Sequence, residues 1–177
     1  DVFRAGEEVL TATFEKFAPE GSQVTAAPYP VISYKEAMLK YGTDKPDLRN
    51  PLEIVDVTDF FQRCTFEPFH GKTVRAVNVH QQMSKKFHKK FEEFAKKIGM
   101  GGLGYLQVQD DMTYKGPIDK FIPDDMKQEI ADIAGLQAGD TIFFICDKEK
   151  QAALFAGQIR TELGNRLDLL EKNAYRF

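Results

Sequence analysis

The side chains best able to do chemistry lie in two places. The first is Gly42-Thr43-Asp44-Lys45-Pro46-Asp47-Leu48-Arg49-Asn50-Pro51, where two carboxylates, a lysine and an arginine crowd a short run of turn formers. A loop carrying both charge signs can offer several directional hydrogen bonds to a polar ligand or a nucleic-acid backbone. The same residue types also build turns, so Asp44, Lys45, Asp47 and Arg49 can equally fix the chain path through local ion pairs. The second place is Ser84 to Ile98, where Lys85, Lys86, Lys89, Lys90, Lys96 and Lys97 outnumber Glu92 and Glu93 and leave a net charge of +4. Each lysine there can neutralise a phosphate, which makes Lys85, Lys86, Lys89 and Lys90 candidate RNA contacts. A solvated face of an amphipathic helix is the alternative for them.

Other reactive residue types are poorly placed for a site. His70, His80 and His88 have no metal-ligand spacing, and His88 reads as lying on the polar side of its helix. The only cysteines, Cys64 and Cys146, are far apart and outside any CxxC pattern, so two buried reduced thiols are expected. The glycine-rich run from Gly99 to Gly104 follows a helix and precedes a strand, the reverse of a phosphate-cradling loop. No metal site, bound cofactor or catalytic residue is assigned. A net charge of −3 and a pI near 5.7 speak against a protein that coats nucleic acid over its whole surface. No apolar run approaches the ~18 residues of a membrane span, and a cytoplasmic setting is expected.

The elements that must position these groups follow from periodicity. Phe3, Gly6, Leu10, Thr13, Phe14 and Phe17 give the first seventeen residues an amphipathic face, which should end before Pro19. That helix starts at Asp1 with neither an initiator Met nor a lead-in, as expected of a chain cut from a longer one. Ser33 and Glu36 form a capping box for a short second helix that Gly42 terminates. Beyond Ile54 the spacing predicts strands over Cys64–Phe69, Thr73–Val79, Leu103–Val108 and Thr141–Cys146. Helices follow over Ser84–Ile98, from Pro123 with Met126, Ile130, Ile133 and Ala134 inward, and from an Asp147 cap to Gly164. The order implies an α+β fold: two layers, with a mixed, mainly antiparallel sheet and helices on one face.

The run Tyr41 to Arg49, preceded by Tyr34-Lys35-Glu36-Ala37-Met38 and followed by Ile54-Val55-Asp56-Val57-Thr58, closely resembles a signature segment of bacterial-type aspartyl-tRNA synthetases. Residues 1 to 17 look like the helix after that family's second class II motif. Gly102-Leu103-Gly104-Tyr105, Lys115-Gly116-Pro117-Ile118 and Gly139 to Phe144 look like landmarks of its inserted GAD domain, and Leu163 to Leu169 resembles the exit from it.

The resemblance implies a division: 1–59 as a post-motif-2 helical segment of the catalytic domain, 60–169 as a GAD-like insertion, 170–177 as the return. It also implies a parent that uses ATP and Mg²⁺ to activate L-aspartate, transfers it to tRNA and forms a homodimer. The parent's ATP- and aspartate-binding residues would fall outside this stretch. The stretch itself would be inactive, a structural or tRNA-proximal appendage, with Gly42, Asp44, Lys45, Pro46, Asp47 and Arg49 as its signature loop. Two other readings compete: a tRNA-docking module like that of the amidotransferase B subunit, and a domain that oligomerises without RNA. Residues 1–59 separate the first of these from the synthetase reading, because they look like synthetase sequence.

Overall fold

The computed structural model describes residues 2–177, so Asp1 lies outside the described residues. Among the described residues the elements run α1 (Val2–Phe17), β1 (Gln23–Val24), α2 (Tyr34–Lys40), β2 (Ile54–Asp56), α3 (Thr58–Arg63), β3 (Thr73–Val79), α4 (Lys85–Lys97), β4 (Gly104–Val108), β5 (Tyr114–Lys115), α5 (Lys127–Ala134), β6 (Thr141–Asp147), α6 (Glu149–Arg166) and β7 (Ala174–Tyr175). Single 3-10 turns sit at Glu67–Phe69, Asp119–Phe121 and Asp124–Met126.

The α+β class holds, built on a five-stranded sheet of order β2-β3-β6-β4-β5 that is antiparallel at every pairing. Its central strand explains its surroundings. In β6, Ile142 and Phe144 point to one face and Phe143 and Ile145 to the other, because strand side chains alternate, and all four are buried. Two cores result. Phe60 and Phe61 of α3 and Ile130 and Ala131 of α5 cover the first face. Phe91 and Ala95 of α4 and Phe155, Ala156, Ile159 and Leu163 of α6 cover the second. The helices therefore do not gather on one face as expected. An unbroken apolar strand leaves no face fit for water, and each large side chain buried contributes about 1.5–3 kcal/mol.

Four local expectations also change. Cys64–Phe69 is not a strand; α3 precedes it and a 3-10 turn occupies Glu67–Phe69. Pro68 has no N–H for a ladder, and Phe66 and Phe69 turn inward instead, with Phe69 edge-on to Phe61 at 4.9 Å. Gly164 does not close α6, which continues to Arg166. Its missing side chain instead makes room for Asn50, whose Nδ2 would lie 2.3 Å from a Cβ placed there. Ile133 is exposed, since the short α5 turns Ile130 and Ala131 to the core. The N-cap of α6 is Lys148 rather than Asp147, and no side chain caps it. Ser33 does cap α2 by accepting from the Glu36 N–H, while Glu36 itself reaches forward to Lys40 at 3.2 Å.

The two ends of the chain meet. Strand β1 pairs with β7 in parallel, and Phe14 of α1 packs at 4.8 Å against both Tyr175 and Phe177. Helix α1 buries no residue, and Val9 and Phe17 stay exposed.

Candidate functional site

The signature loop is built inward from Gly42. This residue is buried with φ +69, and a Cβ on it would sit 2.3 Å from the Ala153 carbonyl oxygen of α6. A Cβ on Gly157 would in turn meet the Gly42 oxygen at 2.7 Å. Only two glycines facing each other let loop and helix backbones come this close.

Beyond Gly42 the loop is tied to α6 by Arg160, which is 1% exposed. Its Nε donates to the Leu52 carbonyl at 2.5 Å, and its Nη2 donates to the Asn50 and Asp47 carbonyls at 2.7 and 3.1 Å. Asn50 reciprocates: its Nδ2 donates to the Arg160 carbonyl at 3.0 Å, and its Oδ1 accepts from the Leu52 N–H at 3.1 Å. The guanidinium also lies 4.8 Å from the centre of the Tyr41 ring. Burial lowers the Arg160 pKa, against the opposing pull of Tyr41, Asp47 and Glu53. An arginine carries its charge even so.

The charged residues of the loop spend themselves on one another. Arg49 grips Asp47 with Nε and Nη2 at 2.9 and 2.7 Å, and Asp47 Oδ1 also accepts from the Arg49 N–H at 3.0 Å. That bidentate contact lowers the Asp47 pKa. Lys45 reaches back to Asp44 at 2.7 Å, and the hydrogen bond lowers the Asp44 pKa. Pro46 is half-buried within this turn.

Helix α4 presents the opposite picture. Ser84 caps it by accepting from the Phe87 N–H at 3.1 Å, and Phe91 and Ala95 anchor it. Lys85, Lys86, Lys89 and Lys90 are exposed, and none has an ion-pair or hydrogen-bond partner among the described residues. Lys96 differs, pairing with Glu92 one turn earlier at 2.7 Å.

The fold brings part of these two regions together. A hollow of about 670 Å³ along α6 has Gly42, Lys45 and Asp47 on one side and Phe94 and Ile98 of α4 on the other. It adjoins a second hollow of about 830 Å³ that carries Lys90, Lys97 and Arg166. Lys85 and Lys89 face away, into a smaller hollow with Tyr105 and Phe143. Lys86 lines none of these.

Arg160, Asn50 and Arg166 were not singled out from the sequence. The signal for Arg160 was available: spaced four residues from both Ala156 and Gly164, it lies on the buried stripe of its helix. Arg166 lies 5.5 Å from the ring centres of both Phe91 and Phe94 and pairs with Glu162 at 2.5 Å.

The histidines occupy three separate settings. His70 Nε2 meets the Cys64 carbonyl at 2.7 Å. His80 Nδ1 meets the buried Asp140 at 3.0 Å, where Asn78 Nδ2 and the Gln137 N–H also donate. His88 is not on the polar side of α4 but half-buried, stacked on Tyr105 at 3.7 Å, and burial lowers its pKa. Cys64 and Cys146 are both free, and burial pushes the Cys64 thiol up to about 11. Among the described residues no group of three or more His, Cys, Asp or Glu side chains could hold a metal ion. The loop arginine is committed to Asp47 and Arg160 to carbonyls. No helix of the described residues is long and apolar enough to cross a membrane.

The chain is 42% identical over 184 residues to the aspartate–tRNA(Asp/Asn) ligase of Anaplasma phagocytophilum, 44% over 184 to that of Ehrlichia canis, and 45% over 184 to that of Paramagnetospirillum magneticum. All of this chain is covered in each case, against 30%, 31% and 21% of the relatives' own lengths. Residues 67–155, half of the chain, match the family model described as the GAD domain, and they hold β3, α4, β4, β5, α5, β6 and the start of α6. Four of the five strands and helices α4 and α5 thus fall within a known domain, while β2, α3 and most of α6 lie outside the matched residues, and the chain belongs to the GAD domain family.

Proposed function

We propose that this chain is a portion of an aspartate–tRNA ligase, a class II aminoacyl-tRNA synthetase that activates L-aspartate with ATP and Mg²⁺ and transfers it to tRNA. The similarity over the whole chain, including residues 1–59, carries this reading and favours it over the amidotransferase docking module. ATP, Mg²⁺ and aspartate are held by the rest of the enzyme, which works as a homodimer. We divide the chain at 1–59, 60–169 and 170–177; strand β2 precedes residue 60 but joins the sheet edge, and the β1–β7 pairing closes the ends around the insertion. The exposed face of α1 is then a surface that the remaining enzyme covers.

Within this enzyme the insertion has two tasks. The signature loop is structural, because its charges are met internally. The N-terminal half of α4 approaches tRNA phosphates. What supports this is that the lysines stand where they cost stability. Lys85/Lys89 and Lys86/Lys90 are like-charge pairs one turn apart, each costing a few tenths of a kcal/mol. All four crowd the N-terminal half of a helix whose first turn has no acidic residue, the end where positive charge is disfavoured.

Three experiments test this. A chimera of the Anaplasma phagocytophilum relative carrying this chain in place of its matching segment should aminoacylate tRNA, whereas a folded but inactive chimera would refute the assignment. The chain alone should show no aspartate-dependent ATP–pyrophosphate exchange, and measurable exchange would overturn the division of labour. In the chimera, changing Lys85, Lys86, Lys89 and Lys90 to Gln should weaken tRNA binding and flatten its salt dependence by up to about 0.9 per lost phosphate contact. Unchanged affinity would remove α4 from the tRNA interface.

A further inference from the structure

On the side of α6 away from α4, strand β3 and helices α2 and α6 enclose a hollow of about 430 Å³. Its apolar surface comes from Tyr34, Met38, Leu39 and Ala153, and its charges are Arg75, Lys35, Lys150 and Glu149. The volume sits near the lower end of the ~300–1,000 Å³ range of small-molecule sites, and apolar walls around a few polar groups are their usual composition.

Arg75 is the unusual member. It lies in the middle of a central strand, and its side chain is 9% exposed. Its Nη1 is answered by a carboxylate oxygen of Asp56, whereas Nε has no acceptor. Asp56 is its one ion-pair partner among the described residues. Burial alone would raise the Asp56 pKa, but bonds from Thr58 and the charge and hydrogen bond of Arg75 outweigh it and the net direction is down. Nε and Nη1 are shut off from solvent, which leaves Nη2, with no acceptor among the described residues, as the nitrogen able to donate to a ligand.

Charge sets the class of ligand. Arg75, Lys35 and Lys150 contribute three positive charges; Asp56 on Arg75 and Glu149 remove two, leaving a single positive charge. The uncapped amino end of α6 adds to the same sign. We propose that this hollow binds a small apolar monocarboxylate, its carboxylate accepting from Arg75 and its apolar body lying between Tyr34, Met38, Leu39 and Ala153. The proposal is independent of the tRNA-ligase reading.

Phenylacetate, phenylacetamide and phenyl phosphate are the probes, titrated into the 177-residue chain and followed by NMR shifts of the Arg75 and Ala153 amides. Phenylacetate should bind at ~1–10 mM, the affinity that about ten non-hydrogen atoms can supply. The neutral amide should bind at least tenfold more weakly, as should the phosphate, whose second charge near neutral pH has no counterpart. Arg75→Met should weaken phenylacetate at least tenfold. Ala153→Met, which fills the hollow and leaves every charge in place, should do the same and does not depend on Arg75 being dispensable for folding. No binding at ~20 mM, equal binding of the amide, tighter binding of the phosphate, or an unaffected Ala153→Met variant would each overturn the proposal.

Discussion

The signature loop and helix α4 are both rich in charge, and they dispose of their charges in opposite ways. In the loop, Asp47 and Arg49 are two residues apart and close a bidentate pair, Asp44 and Lys45 pair directly, and the buried Arg160 collects three carbonyls. In α4, Lys85/Lys89 and Lys86/Lys90 each set one lysine a turn from another, and none of the four pairs with Glu92 or Glu93, Glu92 being taken by Lys96. Charge density is therefore a poor guide to function by itself; what informs is whether the charge is already answered. Answered charges fix a backbone. Unanswered ones on a helix that would be more stable without them point outward to a partner.

The largest effect that can break this comparison is at Arg160. Arg160→Ala removes the charge-assisted bonds to three carbonyls and leaves those acceptors buried, which should cost about 3–5 kcal/mol in urea unfolding. A loss below about 1 kcal/mol would mean that the loop is not held by this clamp. Gly157→Ala comes next. A helical Gly→Ala change ordinarily gains up to about 1 kcal/mol, but here the new methyl meets loop backbone at 2.7 Å. Backbone cannot swing aside as a side chain can, so overpacking at about 1–3 kcal/mol wins and a net loss is expected. A stabilised Gly157→Ala protein would show that loop and helix are not in contact in solution.

These two residues also mark where the sequence was readable. The existence of the loop, the capping of α2 by Ser33, the start of α4 at Ser84, and strands β3, β4 and β6 all followed from local chemistry or period, because the deciding neighbours are within a turn or a strand. The clamp did not, since Asn50 and Arg160 are 110 residues apart and only the packing of α6 on the loop joins them. The same reason hid the second covered face: Phe143 and Ile145 were legible as buried, but which helices would cover them was not. Gly164 misled because a glycine near a helix end reads as a terminator, while its use here is to admit Asn50. Of the candidate site, the lysines of α4 were legible as charge, yet only Lys90 joins the groove that also holds Lys97 and Arg166.

The lysines give the next test, with a smaller effect of opposite sign. Replacing Lys85, Lys86, Lys89 and Lys90 by Gln removes two like-charge pairs and unfavourable charge from the start of α4, so the protein should gain about 0.5–1 kcal/mol while losing tRNA affinity. Stability and binding moving in the same direction would dissolve the contrast with the loop.

The smallest effect concerns how α4 is fastened. Where the loop is held by hydrogen bonds to a permanent charge, α4 rests on the sheet through Phe91, Ala95 and the ring of His88 stacked on Tyr105, with both His88 ring nitrogens buried and unbonded. Burial disfavours the imidazolium, so the folded pKa lies below the usual 6.5. The unfolded chain then takes up the proton first, and the stability contributed by neutral His88 is fully present above pH ~6.5 and lost as pH falls through the folded value. Urea midpoints measured from pH 7.5 down to 5 should fall more steeply for the native protein than for His88→Phe, which keeps a ring on Tyr105 but cannot titrate. Contributions that do not come from His88 are common to both proteins and cancel. Parallel curves would mean that His88 is solvated in solution and that α4 is held by Phe91 and Ala95 without it, whereas diverging curves would make the lysine-bearing helix the acid-sensitive part of the domain and the arginine-clamped loop the insensitive one.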